Sequence, residues 1–260
     1  LKAEVLESVF HSTKEREEAF KAVSNKLISK NKNRLEDLRL SQRRPILRKI
    51  VSKLVSWMTA EGFTEVVTPI ILARGLLNRM NIRPDNHLWK QIFWVDKDHC
   101  LRPMLAPNLY FLLGHLSRIW PKPVRIFEIG PCFRKESKGS HHLAEFTMLN
   151  LVELAPSKEA GKRLKELIHG GMGVLEMEYE LSKEDSECYG RTLDVTAGGV
   201  EVGSGVIGPH VLDKNWNIYD AWAGIGFGIE RLIMAKEGFV NIKRVGRSLI
   251  YLDGARLDII

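Results

Sequence analysis

Gly224-Ile225-Gly226-Phe227-Gly228-Ile229-Glu230-Arg231 places three glycines at alternate positions in an apolar run that closes on a charged pair. The pattern suits a strand turning into a helix beside a bound nucleotide, because glycine lets a ligand touch backbone. Neither a G-x-G-x-x-G run with a following acid nor a GK[ST] ending is present, which excludes the Rossmann and P-loop readings. A second half for such a site stands upstream in Phe133-Arg134-Lys135-Glu136-Ser137, followed by His142 and Glu145-Phe146-Thr147-Met148-Leu149-Asn150. A guanidinium at the start of a hairpin loop holds a phosphate by two parallel hydrogen bonds and neutralises charge developing at phosphorus. Taken alone, Arg134 also fits a surface arginine paired with Glu136; beside the glycine run the phosphate reading is favoured. Phe146 and Arg231 suit the two faces of a purine, although Phe146 equally suits a packed core. Glu201 and Ser204 offer a carboxylate and a hydroxyl for a Mg2+ that bridges phosphates, a spacing that by itself is a weak pointer. His141 and His142 lack a third metal ligand at a usual spacing, which favours phosphate contact or a solvated loop over zinc.

The 260 residues are enough to bury a substantial core, and their composition excludes disordered, collagen-like and fibrous architectures. No apolar run reaches the roughly 18 residues of a membrane-spanning helix, and the start lacks a basic-then-apolar secretion pattern. The chain begins at Leu1 without Met, so an upstream piece stays open. Cys100, Cys132 and Cys188 are odd in number, widely spaced and without CxxC pairing. That argues against a disulfide framework or a zinc site and fits a reducing cytoplasm. Residues 21–53 hold eleven Lys or Arg against Glu36 and Asp37, so this window carries +9 of a net +7 and leaves the remainder at −2. A basic stripe confined to one end suits a polyanion whose phosphates release counterions on binding; a solvated helix face is the alternative.

Along the chain, residues 1–30 read as one or two amphipathic helices, with Val5, Leu6, Val9 and Phe10 on one face and Phe20, Val23 and Leu27 on another. Asn31-Lys32-Asn33 reads as a break, and Pro45 opens a long helix that ends at Gly62. Residues 63–68 alternate as a strand stopped by Pro69, and 91–95 with 100–105 read as a hairpin. A helix is expected over 108–120 and another over 157–168, with strands at 124–129, 146–152, 192–195 and 200–207. The expected fold class is α+β, an antiparallel sheet flanked by helices, with a helical basic extension over 1–44 and a main domain over 45–260.

Three elements thus stand in order: a helix and strand ending at Pro69, a strand and loop carrying Phe133-Arg134-Lys135-Glu136, and the run from Gly224 to Arg231. They resemble motifs 1, 2 and 3 of the class II aminoacyl-tRNA synthetases, the closing Gly-x-Glu-Arg being the most specific. Leu101-Arg102-Pro103-Met104-Leu105-Ala106-Pro107-Asn108-Leu109-Tyr110, Phe127-Glu128-Ile129-Gly130-Pro131-Cys132 leading into Phe133, and the stretch from Glu145 to Asn150 are similar to the catalytic domain of the pyrrolysyl-tRNA synthetase family. The similarity runs from about residue 40 to the end, and residues 1–40 more loosely resemble that domain's helical tRNA-binding extension.

The resemblance implies ATP-dependent activation of pyrrolysine, or a similar bulky Nε-acylated lysine, as an aminoacyl adenylate, then transfer to the 3′ end of a cognate tRNA. It assigns catalysis to Arg134, Arg231, Glu201 and Ser204. For ATP it places Arg134 on the α-phosphate, His142 toward the γ-phosphate, Phe146 and Arg231 around adenine, and Glu136 on the adenine edge, with Mg2+ on Glu201 and Ser204. For the amino acid, Ala106, Leu109, Tyr110, Leu113, Val152, Val206 and Trp222 match a deep apolar pocket. Asn150 matches the partner of the side-chain amide, and Tyr189 matches a mobile-loop tyrosine that closes over the ring. A long amide-bearing lysine derivative needs apolar walls and one amide partner, and a buried Asn left unpaired penalises substrates that lack the amide. Ala144 stands where many relatives have Glu, and Val152 where the residue type varies; both bear on pocket mouth or depth.

Motif 1 of such folds packs across a two-fold axis, so the resemblance implies a homodimer; the cysteine usage and the lack of a long apolar run are what point to a cytoplasmic chain without membrane attachment. The family's separate N-terminal zinc-binding module has no counterpart in this sequence. The chain then resembles a short form, or the catalytic half of a split enzyme working with a separate N-terminal tRNA-binding protein; the ending from Ser248 to Leu257 is closer to the split bacterial type, and a piece of a longer protein stays open. Two other readings are an enzyme passing its adenylate to an acceptor other than tRNA, against which the basic stripe weighs, and a noncatalytic relative, against which Arg134, Glu201, Ser204 and Arg231 weigh. Lys32, Arg34, Arg39, Arg43 and Arg44 are expected on the tRNA backbone. Reversing Lys32, Arg34, Arg39, Arg43 and Arg44 to Glu should weaken tRNA binding and flatten the slope of log K against log salt by about 0.7–0.9 for each phosphate no longer neutralised, read by filter binding across a salt series. An unchanged slope would remove the stripe from tRNA recognition.

Overall fold

The computed structural model describes residues 8–135, 139–186 and 189–258. It divides into Leu1–Pro45 with Ser248–Ile260, and Ile46–Arg247.

In the first unit, Ser12 starts α1 (Thr13–Asp37): its hydroxyl accepts the Glu15 amide at 3.2 Å while the Glu15 carboxylate accepts the His11 amide at 2.9 Å. This is close to the reciprocal Ser-x-x-Glu cap, a signal present in the sequence. The helix continues through Asn31-Lys32-Asn33, where the sequence predicts a break. Asn31 is buried, and its side-chain amide donates to the Arg256 carbonyl and accepts the Arg256 amide, each at 3.3 Å. Asparagine breaks helices by competing for local backbone bonds, and here those groups are engaged by the hairpin of Tyr251–Leu252 and Ala255–Arg256. Arg34 likewise donates to the Asp253 carbonyl. A π-helical stretch, Leu38–Gln42, ends the helix, and Arg43, at φ 53°, returns its amide to Leu38 O at 2.7 Å. Of the expected apolar faces, Val5 and Leu6 lie outside the described residues, and Val9 and Phe20 are exposed.

The second unit begins with α2 (Ile46–Ala60), which buries Ile50, Leu54 and Met58 at helical spacing and leads into β1 (Thr64–Glu65). There follow β2 (Ile71–Ala73), α3 (Arg74–Arg79), α4 (His87–Lys90), β3 (His99–Leu101), α5 (Ala106–Leu116), β4 (Val124–Phe133) and β5 (Glu145–Leu154). Then come α6 (Ala160–Val174), β6 (Glu180–Ser186), β7 (Gly190–Ala197), β8 (Val200–Gly208), β9 (Trp222–Gly228) and α7 (Ile229–Glu237). The main sheet has seven strands in the order β1-β4-β5-β9-β8-β7-β6, antiparallel except where β1 runs parallel to β4. The strand expected over 63–68 shrinks to β1. The hairpin expected from 91–95 and 100–105 forms only over a short stretch: the Leu101 amide bonds to Phe93 O and the Val95 amide to His99 O, each at 2.9 Å, around a Trp94–Cys100 bridge, while β3 pairs on its other side with β2. Its first arm is shortened because Asn86 caps the α4 turn at Leu88 N, 2.8 Å, and Trp89 folds back on Trp94 with ring centroids 4.6 Å apart. The helix expected over 108–120 sits at α5. β6 has no signal in the sequence: Glu-Leu-Ser-Lys-Glu-Asp-Ser lacks apolar alternation, yet it pairs along its length with β7 as a charged, exposed edge.

Alternation divides the sheet into two faces. Phe127, Leu149, Leu151, Ala223, Ile225 and Phe227 face a core closed by α2, α6 and α7. Ile126, Val152, Val206 and Trp222 face the other side, where α5 packs through Leu109, Tyr110 and Leu113. Cys100 and Cys132 are buried free thiols, and Cys188 lies outside the described residues. Among the described residues, no helix is long and apolar enough to cross a membrane.

A buried ion pair ties the α5 side together: Arg102 Nη1 meets Glu128 Oε1 at 2.7 Å, both side chains 2% exposed. Glu128 also accepts the Thr68 hydroxyl at 2.7 Å and the Thr68 amide at 3.1 Å, and Asn108 donates to the Thr68 hydroxyl at 2.7 Å and to Pro69 O at 3.0 Å. Removing one partner strands a charge in the interior. Glu128→Ala should therefore lower the unfolding free energy by about 3–5 kcal/mol in urea titrations, and the double variant Arg102→Met/Glu128→Leu should lose markedly less. Equal losses would contradict this account.

Candidate active site

On β5, Phe146, Met148, Asn150 and Val152 point to the α5 side, beside Trp222, Gly224, Gly226 and Gly228 of β9 and Ser204 and Val206 of β8. In register, Asn150, Gly226 and Ser204 form one cross-strand row, and Val152, Gly224 and Val206 the next. The glycines of the middle strand leave a trough, and a cavity of about 540 Å³ fills it. At Gly226 a β-carbon would stand 3.2 Å from both amide atoms of Asn150, tighter than ordinary packing, so a side chain there would press on the Asn150 amide.

The α5 end of the cavity is apolar: Ala106, Leu109, Tyr110, Leu113, Val152, Val206 and Trp222 line it together with Asn150. In this setting Asn150 Oδ1 is buried without a hydrogen-bond partner. Such a group costs about 1–3 kcal/mol unless a donor meets it.

Glu201 and Ser204 are three apart, and in a regular strand would point to opposite faces. β8 carries a bulge: Thr196 pairs with Glu201 but its neighbour Val195 pairs with Gly203, and the extra residue returns Glu201 to the face of Ser204. Both line the cavity. Asp194, which carries no motif, lies directly across from Ser204 and accepts its hydroxyl at 2.6 Å. The donor set is hard oxygen, as Mg2+ requires when phosphates and water complete its shell. Among the described residues, no group of three His, Cys, Asp or Glu could hold a metal without such help.

Arg134 follows β4, its amide bonded to Ala144 O at 3.0 Å and its Nε to Pro103 O at 2.9 Å. The guanidinium stands 5.4 Å over the Phe146 ring. Arg231 instead reaches Glu201, its Nη1 3.2 Å from both the carbonyl and Oε2. Glu230, buried at the start of α7, accepts the Thr147 amide at 2.8 Å and hydroxyl at 2.9 Å; burial pushes its carboxyl above the usual range, against those bonds. His141, His142 and Tyr189 also line the cavity, while Glu136 lies outside the described residues. Met104, within the stretch quoted for the family resemblance but not singled out there, joins the lining from the β3–α5 loop, and His87, Leu88 and Gln91 join it from around α4, where the sequence offers no motif. The basic side chains Lys32, Arg34, Arg39, Arg43 and Arg44 belong to the first unit, and Arg39 pairs there with Glu36 at 2.6 Å.

Residues 34–252 match the family described as tRNA synthetases class II core domain (F). A crystal structure of pyrrolysyl-tRNA synthetase from Desulfitobacterium hafniense is 47% identical, with a TM-score of 0.91 over 98% of this chain and 92% of that one. This chain belongs to the pyrrolysyl-tRNA synthetase family of the class II aminoacyl-tRNA synthetases. Another pyrrolysyl-tRNA synthetase structure from the same organism is 46% identical, with a TM-score of 0.88 over 97% of this chain and 89% of that one. The phenylalanine--tRNA ligase alpha subunit of Sulfurisphaera tokodaii is 29% identical over 175 residues, 63% of this chain and 36% of that protein. The chain spans about a third of the length of the curated relatives it matches. Its α+β fold and its three ordered motifs agree with the family. If Gly226 is what reserves space for the Asn150 amide, Gly226→Ala should raise the KM for the amino acid at least about tenfold and leave that for ATP unchanged in pyrophosphate-exchange kinetics. Parallel rises in both would show a collapsed trough.

Proposed function

We propose that this synthetase activates pyrrolysine, or a similar bulky Nε-acylated lysine, with ATP and transfers it to the 3′ end of a cognate tRNA. The observation that carries this reading is the orphaned Asn150 Oδ1 among apolar walls. A side-chain amide N–H supplies the missing donor, and the aliphatic stem and ring fill the space between α5, β8 and β9. Phenylalanine offers no such donor and would leave the group unpaired. From Phe146 to Val152 the trough extends along β5 for about 20 Å, long enough for ATP phosphates near Arg134 and an extended side chain beyond Asn150.

In the first step Arg134 meets the charge that grows at the α-phosphorus as the amino-acid carboxylate attacks in line and pyrophosphate leaves. Glu201 and Ser204 would hold Mg2+, with Asp194 accepting the Ser204 O–H and so leaving the hydroxyl oxygen available as a ligand. The ion would supply positive charge to offset that of the phosphates. Phe146 and Arg231 embrace adenine, Glu136 reads its edge, and His142 reaches the γ-phosphate; engaging adenine then requires Arg231 to share or release Glu201. Tyr189 covers the amino-acid ring. In the second step the terminal ribose hydroxyl of tRNA attacks the activated carbonyl and AMP leaves, with positioning supplying most of the catalysis.

The extension over 1–44, through Lys32, Arg34, Arg39, Arg43 and Arg44, would track the tRNA backbone. Exposed Val67, Ile70 and Ile71 after β1 suit a homodimer contact, which light scattering reads. A separate N-terminal tRNA-binding protein and a cytoplasmic setting complete the reading. ATP–pyrophosphate exchange with pyrrolysine, a carbamate-linked lysine and phenylalanine tests it: exchange is expected with the first two and should fall about tenfold or more in Asn150→Ala. Exchange with phenylalanine alone would overturn the substrate.

A further inference from the structure

The blind end of the cavity is closed by two rings from different elements, Tyr110 of α5 and Trp222 of β9, which meet edge to face with centroids 5.8 Å apart. Trp216 stacks against Tyr110 at 5.5 Å and 21°. Behind them, outside the lining, lies Asp213, 2% exposed, at the start of a 3-10 turn, Asp213–Trp216. Its Oδ1 accepts the Tyr110 hydroxyl at 3.1 Å. Its Oδ2 accepts the Trp222 indole N–H at 2.8 Å and the His210 amide at 2.6 Å. Its own carbonyl accepts the Ile218 amide at 3.0 Å, which fixes the turn that carries it. Burial first, then Tyr189 and Asp213, push the Tyr110 hydroxyl far above its ordinary range, so it remains a donor. On the side of β8, Gly208 abuts the indole so closely that a β-carbon there would collide with it.

One carboxylate is therefore the shared polar anchor of both end walls. Apolar contact alone leaves the final torsion of a large ring broad, whereas a directional bond to a fixed acceptor selects one orientation. We propose that Asp213 is the positioning residue that sets the depth and selectivity of the amino-acid pocket by holding Tyr110 and Trp222 in one arrangement. This rests on the reading that the pocket takes the amino-acid side chain. Asp213 touches no substrate; it acts through the two rings.

Three donors converge on Asp213, and an amide can keep two of these bonds and reverse the third: its oxygen accepts from Trp222 and His210 while its NH2 donates to the Tyr110 oxygen. The test is pyrophosphate exchange by the full chain with pyrrolysine and with Nε-acetyl-lysine, varying ATP separately. Asp213→Ala should raise the KM for pyrrolysine about tenfold, cut the kcat/KM ratio of pyrrolysine over acetyl-lysine by a similar factor, and hold the ATP KM within about twofold. Asp213→Asn should stay within about threefold of the unaltered chain, a rescue that loss of folding would not show. Tyr110→Phe, which removes one donor and no ring, should lower the same ratio by about threefold, and serves if the alanine variant does not fold. An unchanged ratio in the folded alanine variant or in Tyr110→Phe, or an ATP KM rising in step, would overturn the proposal. Absence of exchange with either lysine derivative in the unaltered chain would overturn the pocket reading itself, and the proposal with it.

Discussion

Arg102 and Glu128 sit at the same depth as the hydrophobic core, and two charges there are tolerated only because each finds its partner and further hydrogen bonds. What they hold is the approach to the site. Glu128 grips the Thr68-Pro69 end of motif 1, and Arg102 Nε reaches Pro131 O on β4 at 2.8 Å. The Arg102 carbonyl takes the Phe133 amide at 3.0 Å, and the next carbonyl, Pro103, takes Arg134 Nε at 2.9 Å. Arg134, proposed to meet the α-phosphate, is thus aimed from a buried pair several residues away. An apolar pair of similar volume would pack as well but would not supply that directional chain, which is a physical reason for charge at such a place.

The trough depends on a second constraint, the strict two-residue period of a sheet. Because Gly224, Gly226 and Gly228 share the face that carries Asn150 and Ser204, the middle strand contributes backbone where its neighbours contribute side chains. Leu149, Leu151, Ile225 and Phe227, one residue out of phase, build the core beneath. The same alternation therefore makes a rigid floor and an open site, and the bulge at Glu201 is the one local departure that adds a carboxylate to the open face.

Motifs 2 and 3 were legible because each puts residue types with one chemical use, guanidinium and glycine, at a spacing that only a strand end explains. Asn150 and the apolar lining became legible through family resemblance, and periodicity alone would have assigned them to the core. Other parts were hidden for identifiable reasons. β6 has no apolar face, so no pattern marks it. The 91–95 segment pairs with β3 around a single bridge at Trp94, shorter than its composition suggests, because the residues before it are taken by the Asn86-capped turn and the Trp89–Trp94 contact. Helix α1 passes through Asn31 because a partner more than two hundred positions away, Arg256, satisfies it. Asp194 and Asp213 act across strands and turns, and nothing adjacent in sequence announces them.

Phosphates and an amide-bearing side chain are proposed to lie at opposite ends of one glycine-floored trough. A crystal structure of the chain with a nonhydrolysable ATP analogue and an Nε-acylated lysine tests this directly. The α-phosphate is expected on Arg134, adenine against Phe146, and the side-chain amide about 3 Å from Asn150, with the acyl group reaching Tyr110 and Trp222. An amino-acid side chain lying outside the α5-lined end, with Asn150 Oδ1 still unbonded, would contradict it.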